Sequence, residues 1–136
     1  MLDILTIHHV ALPVTDLARA KRFYADVIGL HEVARPAFSF PGAWFQAGDR
    51  ILHLIVNDDQ TFRVGKRVDT RDIHFAIRVS SYRAAIEHLA ALGYRPDAED
   101  PMRRTVEQPH ATAGFPQVFL LDPDRNVVEL NAERLD

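Results

Sequence analysis

The chain has 136 residues, 47% of them hydrophobic and 26% charged, with a formal net charge of −3 and no cysteine. Such a composition fits one compact domain or two small half-domains around an ordinary globular core. It excludes disulfides, thiolate metal sites and cysteine nucleophiles, lacks the basic footprint of a nucleic-acid binder, and contains no run near the roughly 18 apolar residues that span a membrane.

Met1-Leu2-Asp3-Ile4 has no basic segment followed by a long apolar one, so no secretion signal is read and a cytoplasmic location is expected. Residues 4–14 alternate as a strand, with Val10, Leu12 and Val14 on one face and Ile7, His9, Ala11 and Pro13 on the other. Asp16 is a helix N-cap, and Leu17, Ala20, Phe23, Tyr24, Val27 and Ile28 keep helical spacing up to Gly29. Short strands are predicted over 31–35, 43–47 and 50–57, the last two joined by the turn Gly48-Asp49. A polar connector occupies 58–71. A strand over 72–79 follows, then a helix capped by Ser80 or Ser81 and closed by Gly93. A short strand is predicted over 94–98, an irregular segment over 99–114, and two strands over 116–121 and 127–131 around the turn at Asp122 to Asn126.

Two stretches repeat. His9-Val10-Ala11-Leu12-Pro13-Val14 runs into a capped helix, and so does His74-Phe75-Ala76-Ile77-Arg78-Val79. Each half therefore reads β-α-β-β-β, an α+β chain of two tandem modules at about 4–57 and 72–132. The last strand of each module carries a coordinating side chain amid apolar neighbours: His53 in Ile51-Leu52-His53-Leu54 and Glu129 in Val127-Val128-Glu129-Leu130. By alternation, Ile73, Phe75, Ile77 and Val79 face the helix-covered core and His74 faces away. His9, His53 and Glu129 do the same on their strands. If the halves pair about a pseudo-twofold axis, these four residues converge in one cleft. Imidazole and carboxylate are ligands for Zn, Ni, Mn, Co or Fe(II), and an apolar strand is a costly place for them otherwise. One such residue is more often structural; four at repeat-equivalent positions point to a divalent metal.

The run from His9 to Leu30 resembles the opening of the vicinal oxygen chelate superfamily, which includes glyoxalase I, fosfomycin-resistance proteins, methylmalonyl-CoA epimerase, bleomycin-resistance proteins and extradiol dioxygenases. The run from Phe119 to Leu130 resembles its closing signature. The resemblance covers nearly the whole chain. It implies a single domain of paired β-α-β-β-β modules, an open curved mixed sheet around a divalent metal, and a homodimer. It carries ligand roles onto His9, His74 and Glu129, and His53 occupies a site that is glutamate or glutamine in several metal-binding relatives. Departures matter. Glyoxalase I has glutamate where His53 stands, and its bacterial form has a glutathione-holding arginine where Pro13 stands. Asn57 matches a glutathione-contacting asparagine. Ala11 replaces the threonine of fosfomycin-resistance proteins, which argues against fosfomycin as substrate. His9, His74 and Glu129 also match the two-histidine, one-glutamate set of extradiol dioxygenases.

Arg78 shares the face of His74 and is a candidate anchor for an anionic substrate, with Asn57 as a second substrate contact. Trp44 and Gln46 share a face, and Phe45 takes the other. His8 reads as structural, and His110, Arg103 and Arg104 as solvated loop charges. The expectation is a metal-dependent lyase or isomerase. A small substrate would bind the metal through two oxygens, an enediolate would be stabilised, and Glu129 or His53 would move the proton. An extradiol-type dioxygenase and a non-catalytic ligand-binding protein of the bleomycin-resistance kind are the alternatives.

Overall fold

A computed structural model describes residues 1–136, which form two compact units, Met1–Asp58 and Asp59–Asp136. In the first unit β1 (His9–Val14), β2 (His31–Val33), β3 (Gly42–Ala47) and β4 (Arg50–Val56) form a mixed sheet in the order β1-β4-β3-β2. β1 runs parallel to β4, and the other pairs are antiparallel. Pro13 is tolerated because β1 lies at the sheet edge, where a missing N–H leaves no ladder bond unmade. One face buries Val14, Ala43, Phe45, Leu52 and Leu54 together with Ala20, Phe23 and Tyr24 of the helical segment. His9, His53 and Trp44 take the opposite face, as strand alternation requires.

Asp16 caps α1 (Leu17–Arg22) by accepting the Arg19 N–H at 2.9 Å. The sequence predicts one regular helix to Gly29. Instead the chain widens into a π-turn over Phe23–Val27, closed by the Ile28 N–H donating to the Phe23 carbonyl at 3.1 Å. The wider turn brings two successive aromatics, Phe23 and Tyr24, toward one face, and both are buried. Gly42 lets β3 pass close to β4: a Cβ there would run into the Leu54 carbonyl oxygen and crowd the Arg35 guanidinium.

The second unit repeats the plan. β5 (His74–Arg78), α2 (Tyr82–Ala91), β6 (Val106–Gln108), β7 (Gln117–Leu121) and β8 (Val127–Asn131) give a sheet ordered β5-β8-β7-β6. Here too the first and last strands are parallel and the rest antiparallel. The fold is therefore α+β with two four-stranded mixed sheets. Ser81 caps α2, accepting the Ala84 N–H at 2.9 Å, and Gly93 follows its end at a φ of 84°. The turn between β7 and β8 is fixed by Asp122, whose Oδ1 accepts the N–H groups of Asp124 and Asn126 at 2.8 Å each.

Further expectations are corrected. The first strand does not begin at residue 4: β1 starts at His9, and Ile4, Leu5 and Ile7 ahead of it are exposed. No strand forms over 94–98; the module's second strand is β6, inside the segment read as irregular, where Val106 packs against the cluster of Phe119, Leu121 and Val127. Ile73 is not a core residue: it precedes β5 and is 86% exposed. The segment read as a connector joins the second unit, anchored by Arg63, which donates to the Arg125 carbonyl and pairs with Asp72, both at 2.6 Å. No helix is long and apolar enough to cross a membrane.

Candidate functional site

In the second unit β5 and β8 bring His74 and Glu129 together, with Nε2 and Oε2 3.1 Å apart. Each is held from behind. His74 Nδ1 lies 2.8 Å from the Asp72 carbonyl, which can only accept, so Nδ1 carries the proton and Nε2 is the nitrogen left to face Glu129. Glu129 is 3% exposed, and its Oε1 accepts from Gln117 Nε2 at 2.9 Å and Asn131 Nδ2 at 2.7 Å. The His74 and Phe119 rings meet in a T-shaped contact, 5.3 Å between centroids, so the pair rests on an apolar floor. Asp72 is itself fixed by Arg63 and by the Ile73 N–H. Those bonds hold its carboxyl below the usual carboxylate range, against burial, which is the largest influence and acts the other way.

In the first unit the elements bring His9 and His53 together differently. Their rings stack face to face, 4.2 Å between centroids and 11° from parallel. Trp44, directly opposite His53 in the β3–β4 register, stacks on its other side at 4.4 Å and 9°. Phe38 and Phe40 extend the aromatic surface, with the Arg35 guanidinium over both rings. His8 Nδ1 meets His9 Nδ1 at 2.9 Å, so one of the two must donate. Burial first, then the neighbouring His9, His8 and Arg35, lowers the pKa of His53 and keeps its ring neutral.

These donors fit a divalent ion unequally. The His74–Glu129 spacing is that of two neighbouring ligands each about 2.1 Å from a shared ion, and a nitrogen with its tautomer fixed plus a buried carboxylate is the right chemistry. The stacked pair fits one ligand at a time. Imidazole lone pairs lie in the ring plane, and an ion between two parallel rings lies well out of both planes. Neither unit by itself gathers three histidine, aspartate or glutamate side chains that could hold a metal ion.

Arg78 ends β5 with its guanidinium 4.9 Å from the Phe115 ring, in register with Asn131. Asn57 follows β4 and is exposed, its backbone N–H donating to Val14 at 2.8 Å. A cavity of about 510 Å³ in the second unit is lined by Lys66, Arg67, Arg71, Asp72, Val106 and Gln108. Sequence reasoning missed the Asp72 carbonyl, Gln117 and Asn131. Asn131 was within reach, since it shares Glu129's face two residues on; Gln117 needed the β7–β8 register.

A model of the glyoxalase, bleomycin-resistance and dioxygenase family matches residues 6–130. The chain belongs to the Glyoxalase/Bleomycin resistance protein/Dioxygenase superfamily. Solved structures of similar fold include a Bacillus anthracis protein described as of the glyoxalase family, with a TM-score of 0.74 and 20% identity over 97% of this chain and 98% of that one. A fosfomycin resistance protein, FosX, from Listeria monocytogenes, complexed with Mn(II) and a dihydroxypropylphosphonic acid, has a TM-score of 0.67 and 18% identity over 99% and 95%. Lactoylglutathione lyase from Agrobacterium tumefaciens has a TM-score of 0.67 and 21% identity over 96% of each chain. No curated protein matches the chain. At these identities the likeness within the superfamily is one of fold.

Proposed function

We propose that this superfamily member is a divalent-metal-dependent enzyme acting on a small substrate that offers two adjacent oxygens, with lyase or isomerase chemistry. The observation that carries the reading is the buried Glu129 carboxylate, presented through Oε2 to a histidine nitrogen 3.1 Å away whose tautomer is already set. His9, His74 and Glu129 are assigned as ligands, and His53 as a fourth ligand only if its ring turns out of the stack. The ion, Zn, Ni, Mn, Co or Fe(II), would act as a Lewis acid toward the substrate oxygens.

The chain's own groups divide the remaining work. His53, neutral and held between two rings, is suited to accept and return a proton. Glu129, with Oε1 taken by two amides, is suited to stay in place rather than shuttle. Arg78 and Asn57 are assigned to substrate. A homodimer in the cytoplasm is the expected working form.

The stacked geometry also supports a second reading. With His53 left in the stack, the same His9, His74 and Glu129 set is also the two-histidine, one-carboxylate arrangement of non-haem Fe(II) oxygenases, so an extradiol-type dioxygenase is the second reading. A non-catalytic binding protein of the bleomycin-resistance kind is the non-enzymatic alternative.

Metal analysis of protein purified without added metal tests the core of the reading. About one equivalent of a divalent ion is expected, lost in His74→Ala and in Glu129→Ala; unchanged metal in either variant overturns the assignment. Hemithioacetals assayed beside catechols, with and without oxygen, separate the enzyme classes. Turnover of a hemithioacetal without oxygen supports isomerase chemistry, oxygen-dependent turnover of a catechol supports the second reading, and stoichiometric ligand uptake without turnover supports a binding protein.

A further inference from the structure

Glu129 Oε1 has two in-plane lone pairs, and two amide N–H groups point at it, from Gln117 at 2.9 Å and Asn131 at 2.7 Å. Oε2 faces His74. The orientation of Asn131 is not dictated by its own needs, because its Oδ1 is buried with no hydrogen-bond partner. Turning the amide over would set that oxygen against the carboxylate, so the residue accepts one buried unpaired acceptor in order to donate to Glu129.

The repeat shows that this pairing belongs to the carboxylate and not to the fold. β7 and β8 set Phe119 opposite Glu129 and Gln117 opposite Asn131. β3 and β4 set Trp44 opposite His53 and Gly42 opposite Ile55. The aromatic is kept in both units. The amides stand only where the coordinating side chain has two oxygens that could both bind an ion; beside His53 the same register positions hold glycine and isoleucine.

We propose, resting on the metal reading above, that Gln117 and Asn131 are positioning residues that make Glu129 a one-oxygen ligand, and that they thereby select small divalent ions over Ca²⁺. Ca²⁺ takes six to eight oxygens and commonly binds a carboxylate through both of them. With Oε1 occupied, that mode is closed. Mn²⁺, Ni²⁺, Co²⁺ and Zn²⁺ accept a single carboxylate oxygen beside imidazole.

The test is titration of the metal-free full chain with Mn²⁺ and with Ca²⁺, in wild type, Gln117→Met, Asn131→Leu, Glu129→Gln and His74→Ala. Loss of an outer partner of a ligand typically lowers affinity about 10- to 100-fold. Mn²⁺ binding should weaken by that factor in Gln117→Met and Asn131→Leu. Ca²⁺ binding should hold or strengthen as Oε1 is freed, so the Mn²⁺/Ca²⁺ affinity ratio falls. A merely structural role would weaken both ions together and leave the ratio unchanged, which overturns the proposal. So does wild-type Mn²⁺ affinity in a folded Gln117→Met or Asn131→Leu variant. Wild-type affinity retained in Glu129→Gln or His74→Ala, or no metal binding by wild type, overturns the metal reading itself and the proposal with it. If Asn131→Leu does not fold, Gln117→Met at the start of β7 carries the titration. A crystal structure of the wild-type Mn²⁺ form is then read for Glu129: binding through Oε2 alone supports the proposal, and binding through both oxygens overturns it.

Discussion

His53 is the side chain whose surroundings say most about its work. It lies between His9 and Trp44 in a stack of three nearly parallel rings. Burial and three cationic or potentially cationic neighbours disfavour its charged form. The sign follows directly. A histidine whose folded pKa is depressed remains neutral over a wider pH range, contributes stability above the ordinary value of about 6.5, and loses it as pH falls through the lowered one. Trp44 is the only tryptophan, so its emission reports this ring. In metal-free protein a fluorescence transition centred below the ordinary histidine value is expected, as an imidazolium forms against the indole face. His53→Phe should abolish it and flatten the loss of stability below pH 6.5. A transition that survives the substitution assigns it to another group.

At the level of elements, strand alternation carried most of the reading. It set His9 and His53 opposite the face of Phe45, Leu52 and Leu54, and Glu129 opposite Val128 and Leu130, because a two-residue period is local and needs no partner to be read. It did not show that the face of Glu129 also buries Phe119, Leu121 and Val127. What escaped depended on partners. The π-turn at Phe23–Val27 follows from burying two adjacent aromatics, and β6 forms only because Val106 reaches a cluster built by β7 and β8. Residues 94–98 turn instead of extending: the Arg95 N–H donates to the Arg103 carbonyl, the Arg95 carbonyl accepts from the Thr105 N–H, and the Ala98 N–H folds back onto that same Arg95 carbonyl. The amides behind Glu129 belong to a register that nothing local in Gln117 announces. Backbone proximity is similarly silent. Gly42→Ala would place a methyl group on the Leu54 carbonyl, so β3 and β4 must part there. The expected cost is about 2 kcal/mol or more, measurable as a lowered urea midpoint with the m-value unchanged.

On the scale of the whole molecule, ligand binding and stability are linked. An ion bound by the folded chain and not by the unfolded one adds about 2.7 kcal/mol at a hundred times its dissociation constant. Thermal unfolding of the metal-free chain should therefore shift upward by roughly 8 °C on adding that much Mn²⁺, and His74→Ala should remove the shift. The two units share a plan but not a chemistry, and Gly42 shows how firmly they have parted. Converting His53→Glu would copy the acidic half onto the other, yet the new carboxylate would need Gly42→Gln and Ile55→Asn to hold it. The first of these is barred, because the backbone leaves no room for any side chain at position 42. The asymmetry of the duplicated halves is thus written into the main chain. No single exchange of ligands makes the two halves alike, and a redesign toward paired carboxylates would have to begin by moving a strand.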